Sequence, residues 1–175
     1  TRFFRVDNDR IRWYELDLPE SIRIRKKFFN ETDRYRMIAK SVFDYSWIKE
    51  IDTFTDPVLV IAEGVLMYFE EDDIKSLMAR LVVAFPHAEM LFEMMTPTLA
   101  KRSEQHDAVS KTDAEFRWGI TSGKEMEILS TKIKFIEEWN YFDYQQDRWR
   151  WMRWLALIPA FKNRFNNRIV HLRFI

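Results

Sequence analysis

The sequence predicts an α/β fold built on a largely parallel sheet, and three observations carry that prediction. Short apolar runs alternate with amphipathic stretches, as strands and helices do in βαβ units. Val58 to Ala62 is a continuous aliphatic run with the pattern of a strand covered on both faces, and it ends on the carboxylate of Glu63. The closing segment Ile169 to Ile175 alternates apolar and polar residues, which suits an antiparallel strand at the end of such a sheet. With 175 residues, 47% of them hydrophobic and 16% aromatic, the chain has material for one domain with a substantial core.

The elements follow in order. Arg10 to Asp17 reads as a strand, and Pro19 suits the first turn of a helix that continues from Ser21 to Asn30 with Ile22, Ile24 and Phe28 or Phe29 inward. Tyr35 to Ser41 is the next strand, followed by the loop Val42 to Trp47. After the Glu63 strand, Asp72 or Glu71 can cap a helix whose apolar stripe is Ile74, Leu77, Met78, Leu81, Val82 and Phe85, stopped by Pro86. His87 to Met94 returns as a strand, and Thr96-Pro97 opens a helix reaching Ala108. Ser122 to Glu125 has capping-box spacing. Lys132 to Trp139 is a strand. Asp147 to Ile158 is expected as a helix with Trp151, Trp154, Leu155 and Ile158 inward and Pro159 as its terminator.

Composition removes several classes of function. Twenty-eight basic and 28 acidic residues cancel, so no net charge recommends nucleic acid or an anionic membrane as partner. The absence of cysteine removes disulfides, thiolate metal sites and a cysteine nucleophile. No HxxxH, HExxH or carboxylate cluster points to a metal. No apolar run approaches the roughly 20 residues of a membrane span, and the start does not resemble a secretory signal, so the expected location is the cytoplasm. Glycine occurs only at positions 64, 119 and 123, too few for a phosphate-cradling loop. His87, at a strand entry, and His171, in the closing strand, read as structural. The segment Arg148 to Ile175, with seven Lys/Arg, no acid and three tryptophans, offers a rival reading as a basic, aromatic surface for a membrane or single-stranded nucleic acid.

Ligands of open α/β sheets bind outside the carboxyl ends of the strands, where Asp17 and Glu63 both fall. With these acids stand the stretches Tyr14-Glu-Leu-Asp-Leu-Pro19, Ala39-Lys-Ser-Val-Phe-Asp-Tyr-Ser-Trp47, Ile61-Ala-Glu-Gly-Val-Leu-Met-Tyr68 and Phe116-Arg-Trp-Gly-Ile120. In order and spacing they resemble the leucine carboxyl methyltransferase family, and most closely its bacterial branch of polyketide-synthesis O-methyltransferases.

The resemblance implies a Rossmann-like class I S-adenosylmethionine-dependent methyltransferase sheet with flanking helices and a small-molecule methyl acceptor bearing a hydroxyl or carboxylate. It implies that Asp17 accepts hydrogen bonds from the ribose hydroxyls, for which a carboxylate offers two acceptor oxygens. Ser41 and Val42 correspond to the pair that holds the adenine; many relatives have Asp-Leu there, so Asp44 is an alternative source of the acid. Glu63, with Gly64, corresponds to the carboxylate near the methionine portion. Tyr68 and the aromatics Phe116 and Trp118 would line the acceptor pocket. His106 is the histidine considered as a general base, and residues 96–130 a substrate-covering insertion. The family's glycine-rich cofactor loop and central first strand have no counterpart, so the resemblance implies a fragment, or a degenerate interaction module that no longer catalyses. A fragment with bare strand edges would tend to pair with a second copy.

Overall fold

A computed structural model describes residues 2–52, 57–101, 115–144, 154, 158–165 and 167–175. The chain divides into two compact units, residues 1–55 and 56–175.

The first unit is a βαβ arrangement, preceded by a short helix α1 (Phe3–Val6) that no sequence signal announces. Strand β1 (Trp13–Asp17) is joined through helix α2 (Pro19–Arg25) to strand β2 (Tyr35–Ala39), and the two strands pair in parallel with Asp17 opposite Ala39. Phe3 of α1 is buried and stacks on Tyr35 with ring centroids 5.1 Å apart. Phe3, Ile22, Tyr35 and Met37 form the core, flanked by Ile11, Trp13 and Phe29. The helix expected to reach Asn30 ends at Arg25, and of its expected inward residues Ile24 and Phe28 are exposed. With barely two turns, α2 buries a single full position, Ile22, against the two strands. Arg25 instead pairs with Glu15 of β1 at 2.6 Å.

The second unit holds four strands, β3 (Leu59–Ala62), β4 (Glu89–Met94), β5 (Ile133–Asn140) and β6 (Arg168–Phe174), in the sheet order β3-β4-β6-β5. The β3–β4 pair is parallel and β6 runs antiparallel to both neighbours, in keeping with its alternating sequence. Helix α3 (Glu71–Ala84) buries Ile74, Leu77, Met78, Leu81 and Val82, the stripe that its periodicity predicts. Its N-cap is Glu70, so Glu71 and Asp72 lie in the first turn, where carboxylates meet the positive end of the helix. Met90, Phe92, Met94, Val170, Leu172 and Phe174 supply the buried face of the sheet. The helix expected from Thr96 to Ala108 is described only as α4 (Pro97–Ala100), with Thr96 as its N-cap. Among the described residues no helix is long and apolar enough to cross a membrane.

Two expectations are corrected by this arrangement. Val58 to Ala62 is not covered on both faces: β3 is the edge strand of its sheet, and Leu59 and Ile61 are exposed. Pro159 begins a helix, α5 (Pro159–Arg164), at a position where its missing N–H costs nothing. Trp154 and Ile158, expected inward, are exposed. Trp151 and Leu155 lie outside the described residues, as does most of the helix expected before Pro159.

Within each unit the strand order matches a class I methyltransferase sheet, 3-2-1-4-5-7-6, read without its first strand. β2 and β1 stand for strands 3 and 2, and β3, β4, β6 and β5 for strands 4, 5, 7 and 6.

Candidate functional site

In the first unit the site is built where β1 and β2 end side by side. Asp17 closes β1 because Leu18-Pro19 turns the chain into α2, and its Oδ1 accepts the Leu18 amide at 2.8 Å. The Asp17 carbonyl accepts the Lys40 amide at 3.0 Å. That bond sets Ser41 and Val42 directly beyond the neighbouring strand end. Ser41 Oγ accepts the Phe43 amide at 3.2 Å, and its carbonyl accepts the Asp44 amide at 3.0 Å. Asp44 caps the 3₁₀ helix Tyr45–Glu50, accepting the Ser46 hydroxyl at 2.7 Å and the Ser46 amide at 3.1 Å. These two bonds, the hydroxyl first, hold its carboxyl below the usual carboxylate range. The buried Trp47 donates its indole N–H to the Val42 carbonyl at 2.9 Å and steadies the loop. Asp17, Ser41, Val42 and Asp44 are therefore brought together, and one oxygen of Asp44 is committed to its cap.

In the second unit Glu63 follows β3 and is exposed. Gly64 takes φ +64°, a left-handed conformation that glycine adopts at little cost. Its amide donates to Glu93 Oε2 at 3.1 Å, and Glu93 Oε1 accepts Asn167 Nδ2 at 2.9 Å. The chain then enters the 3₁₀ turn Leu66–Tyr68, anchored by the buried Leu66 and Met67. The Met67 carbonyl accepts the amides of Arg117, at 2.8 Å, and Trp118, at 3.2 Å, and the Ile120 amide donates to the Met95 carbonyl at 3.0 Å. This strip brings Phe116 against Tyr68, ring centroids 5.3 Å apart, beside a cluster of Met67, Met95 and Ala100. Trp118 packs instead on Phe92, 6.3 Å away. Phe116 and Trp118 are both buried, whereas Tyr68 is half-buried. His106 and much of the expected covering insertion lie outside the described residues.

The other two histidines take structural places. His87 sits at φ +65° in the turn before β4. His171 lies 2.9 Å from Glu89 and stacks on Trp139. Glu89 is held below its usual value by Arg173 first and His171 second. Among the described residues no group of three metal-ligating side chains occurs. Sequence reasoning missed Glu93 and Asn167, since only the fold brings residues 64, 93 and 167 together; the alternation of β4 is the one signal that Glu93 shares a face with Glu89.

The fold is that of the S-adenosylmethionine-dependent methyltransferases. A DUF574 family protein from Streptomyces avermitilis superposes with a TM-score of 0.60 at 14% identity, over 94% of this chain and 65% of that one. The N-methyltransferase NodS from Bradyrhizobium japonicum, in complex with S-adenosyl-L-homocysteine, superposes with a TM-score of 0.51 at 13% identity, over 93% of this chain and 66% of that one. In sequence, the chain is 30% identical over 144 residues to the tetracenomycin polyketide synthesis O-methyltransferase TcmP of Streptomyces glaucescens, covering 82% of this chain and 53% of the relative. No family model matches the chain. In sequence the chain is similar to a bacterial polyketide-synthesis O-methyltransferase, and it spans about half the length of the curated relative it matches.

Proposed function

We propose that the whole protein transfers the methyl group of S-adenosylmethionine to an oxygen of a small, polyketide-like molecule in the cytoplasm. The observation that carries this reading is the placement of Asp17 at the end of β1 with Ser41 and Val42 directly beyond β2, in a chain 30% identical to a polyketide O-methyltransferase. The residues suit the cofactor: a carboxylate with one oxygen on its own backbone turn keeps acceptor capacity for ribose hydroxyls, and Ser41 with Val42 pairs a polar atom with an apolar surface for a purine.

When bound, the cofactor supplies an activated methyl group and its own leaving group. The work left to the chain is binding, alignment and exclusion of water. In this reading Asp17 accepts from the ribose, and Glu63 places negative charge by the ammonium of the methionine portion. Tyr68 and Phe116 form one wall of the acceptor site. A carboxylate acceptor needs no general base; a phenol would draw on one, and His106 is the side chain proposed for it.

Isothermal titration with S-adenosylhomocysteine tests the reading. The wild-type protein is expected to bind it, and Asp17→Ala to bind at least about tenfold more weakly, a loss of about 1.4 kcal/mol. No binding by the wild type, or equal binding by the variant, overturns it.

A further inference from the structure

Strand β4 carries two carboxylates on the face away from Met90, Phe92 and Met94, and the fold treats them differently. Glu89, at the start of the strand, is neutralised by the Arg173 guanidinium at 2.7 Å and lies 2.9 Å from His171. Glu93, near the carboxyl end, meets no cation within ion-pair distance among the described residues. Neutral donors take its oxygens instead, the Gly64 amide on Oε2 at 3.1 Å and Asn167 Nδ2 on Oε1 at 2.9 Å. Glu93 is half-buried, so water competes less for these bonds than at an open surface.

Backbone geometry gives the Gly64 bond its purpose. β3 pairs with β4 as far as Ala62, opposite Phe92, and there the ladder stops. Two residues on, the Gly64 amide finds the Glu93 side chain in place of a strand carbonyl. Gly64 has φ +64°, yet the nearest atom that a Cβ there would meet, Glu93 Oε2, is 4.0 Å away, so glycine answers to angle and not to space. Glu63 is therefore held from both sides, by the last rung of the ladder at Ala62 and by the Glu93 bond at Gly64. Released from that bond, glycine has a wide choice of backbone angles, and the direction of Glu63 would follow it. Glu93 is itself fixed, its backbone opposite Ile169 of β6 and its second oxygen on Asn167, two residues before Ile169.

We infer that Glu93 is the positioning residue for the methionine end of the cofactor: it sets the turn that presents Glu63, and through Glu63 the affinity for the amino-acid portion but not for the adenosine portion. The inference rests on the cofactor reading proposed above, in which the adenosine belongs to Asp17, Ser41 and Val42. A carboxylate suits the task better than a side-chain amide, because it offers an oxygen to each donor and brings no competing N–H.

Two ligands that share the adenosine and differ in the amino-acid portion test the inference: S-adenosylhomocysteine and 5′-methylthioadenosine, each titrated calorimetrically into the intact protein. Glu93→Ala is expected to weaken S-adenosylhomocysteine about fivefold, the worth of one hydrogen bond, and to leave methylthioadenosine within about twofold of wild type. Glu93→Asp, which keeps the charge but not the reach, should behave like the alanine variant, and Glu93→Gln, which keeps one acceptor oxygen, should recover part of the affinity. These two variants carry the comparison should Glu93→Ala fail to fold. In a Glu63→Ala background, Glu93→Ala should weaken S-adenosylhomocysteine no further, since it acts through Glu63. Equal losses for the two ligands, undiminished affinity in Glu93→Ala or Glu93→Asp, or additive losses in the double variant overturn this inference and leave the cofactor reading standing. A wild-type protein that binds neither ligand overturns both.

Discussion

The Gly64 amide donates to the Glu93 carboxylate across 3.1 Å, joining residues 29 positions apart at the ends of two parallel strands. The other Glu93 oxygen holds Asn167. One side chain therefore fixes both the turn that carries Glu63 and the approach to β6. Glu93→Ala is expected to lower stability by about 1–3 kcal/mol in urea unfolding, because two donors lose their acceptor. Glu93→Gln keeps one acceptor oxygen and should fall between. An alanine variant as stable as wild type would show that these bonds do not hold the turn.

Glu63 tests the methionine end proposed for the cofactor. Glu63→Ala should weaken S-adenosylhomocysteine binding at least about tenfold, near 1.4 kcal/mol, through loss of a charge-assisted contact. Calorimetric titration gives the answer directly, and unchanged affinity would remove Glu63 from the site.

Gly119 is constrained by space rather than by backbone angle. A Cβ there would sit 2.8 Å from the Met95 carbonyl oxygen and 2.9 Å from the Thr96 carbonyl carbon and oxygen. Backbone cannot swing aside as a flexible side chain can, so Gly119→Ala should cost about 1–3 kcal/mol. It should also loosen the strip that sets Phe116 against Tyr68. A thermal melt compares the two proteins, and an unshifted Tm would refute the close approach.

Acid should weaken the first unit through Glu31. Its carboxylate accepts the amide of the buried Met37 at 2.8 Å and the Lys26 ammonium at 2.9 Å. The amide first, then Lys26, lowers its pKa from the ordinary 4.5. A group lowered in the folded state contributes stability above its unfolded value and loses it as pH falls through the folded one. Wild type should therefore exceed Glu31→Gln in stability at neutral pH, with the gap closing below about pH 4.5. Urea titrations of both proteins across that range, read from tryptophan fluorescence, check it; a gap that persists in acid would assign the effect elsewhere.

Local pattern is enough for the elements that satisfy themselves locally. The i, i+3, i+4 stripe of α3 needs only its own spacing to declare a buried face, and the capping box at Ser122 closes within four residues through the Glu125 side chain. The alternation of β6 likewise announces an antiparallel strand. The acids at the ends of β1 and β3 are legible too, since a polar residue closing an apolar run marks where a strand leaves the sheet.

Tertiary structure decided what depends on neighbours. Pro159 can end one helix or begin another, and only the chain after it shows that it begins α5. The run Leu59 to Ala62 has the composition of a buried strand, yet its place at a sheet edge leaves Leu59 and Ile61 exposed, because burial belongs to the position in the sheet and not to the residues. The bonds from Gly64 to Glu93 to Asn167, and from the Thr96 hydroxyl to the Arg164 carbonyl, join segments far apart in sequence. Such contacts leave no periodicity behind, so sequence determined the classes of element and the acids at their tips, while folding alone chose their companions.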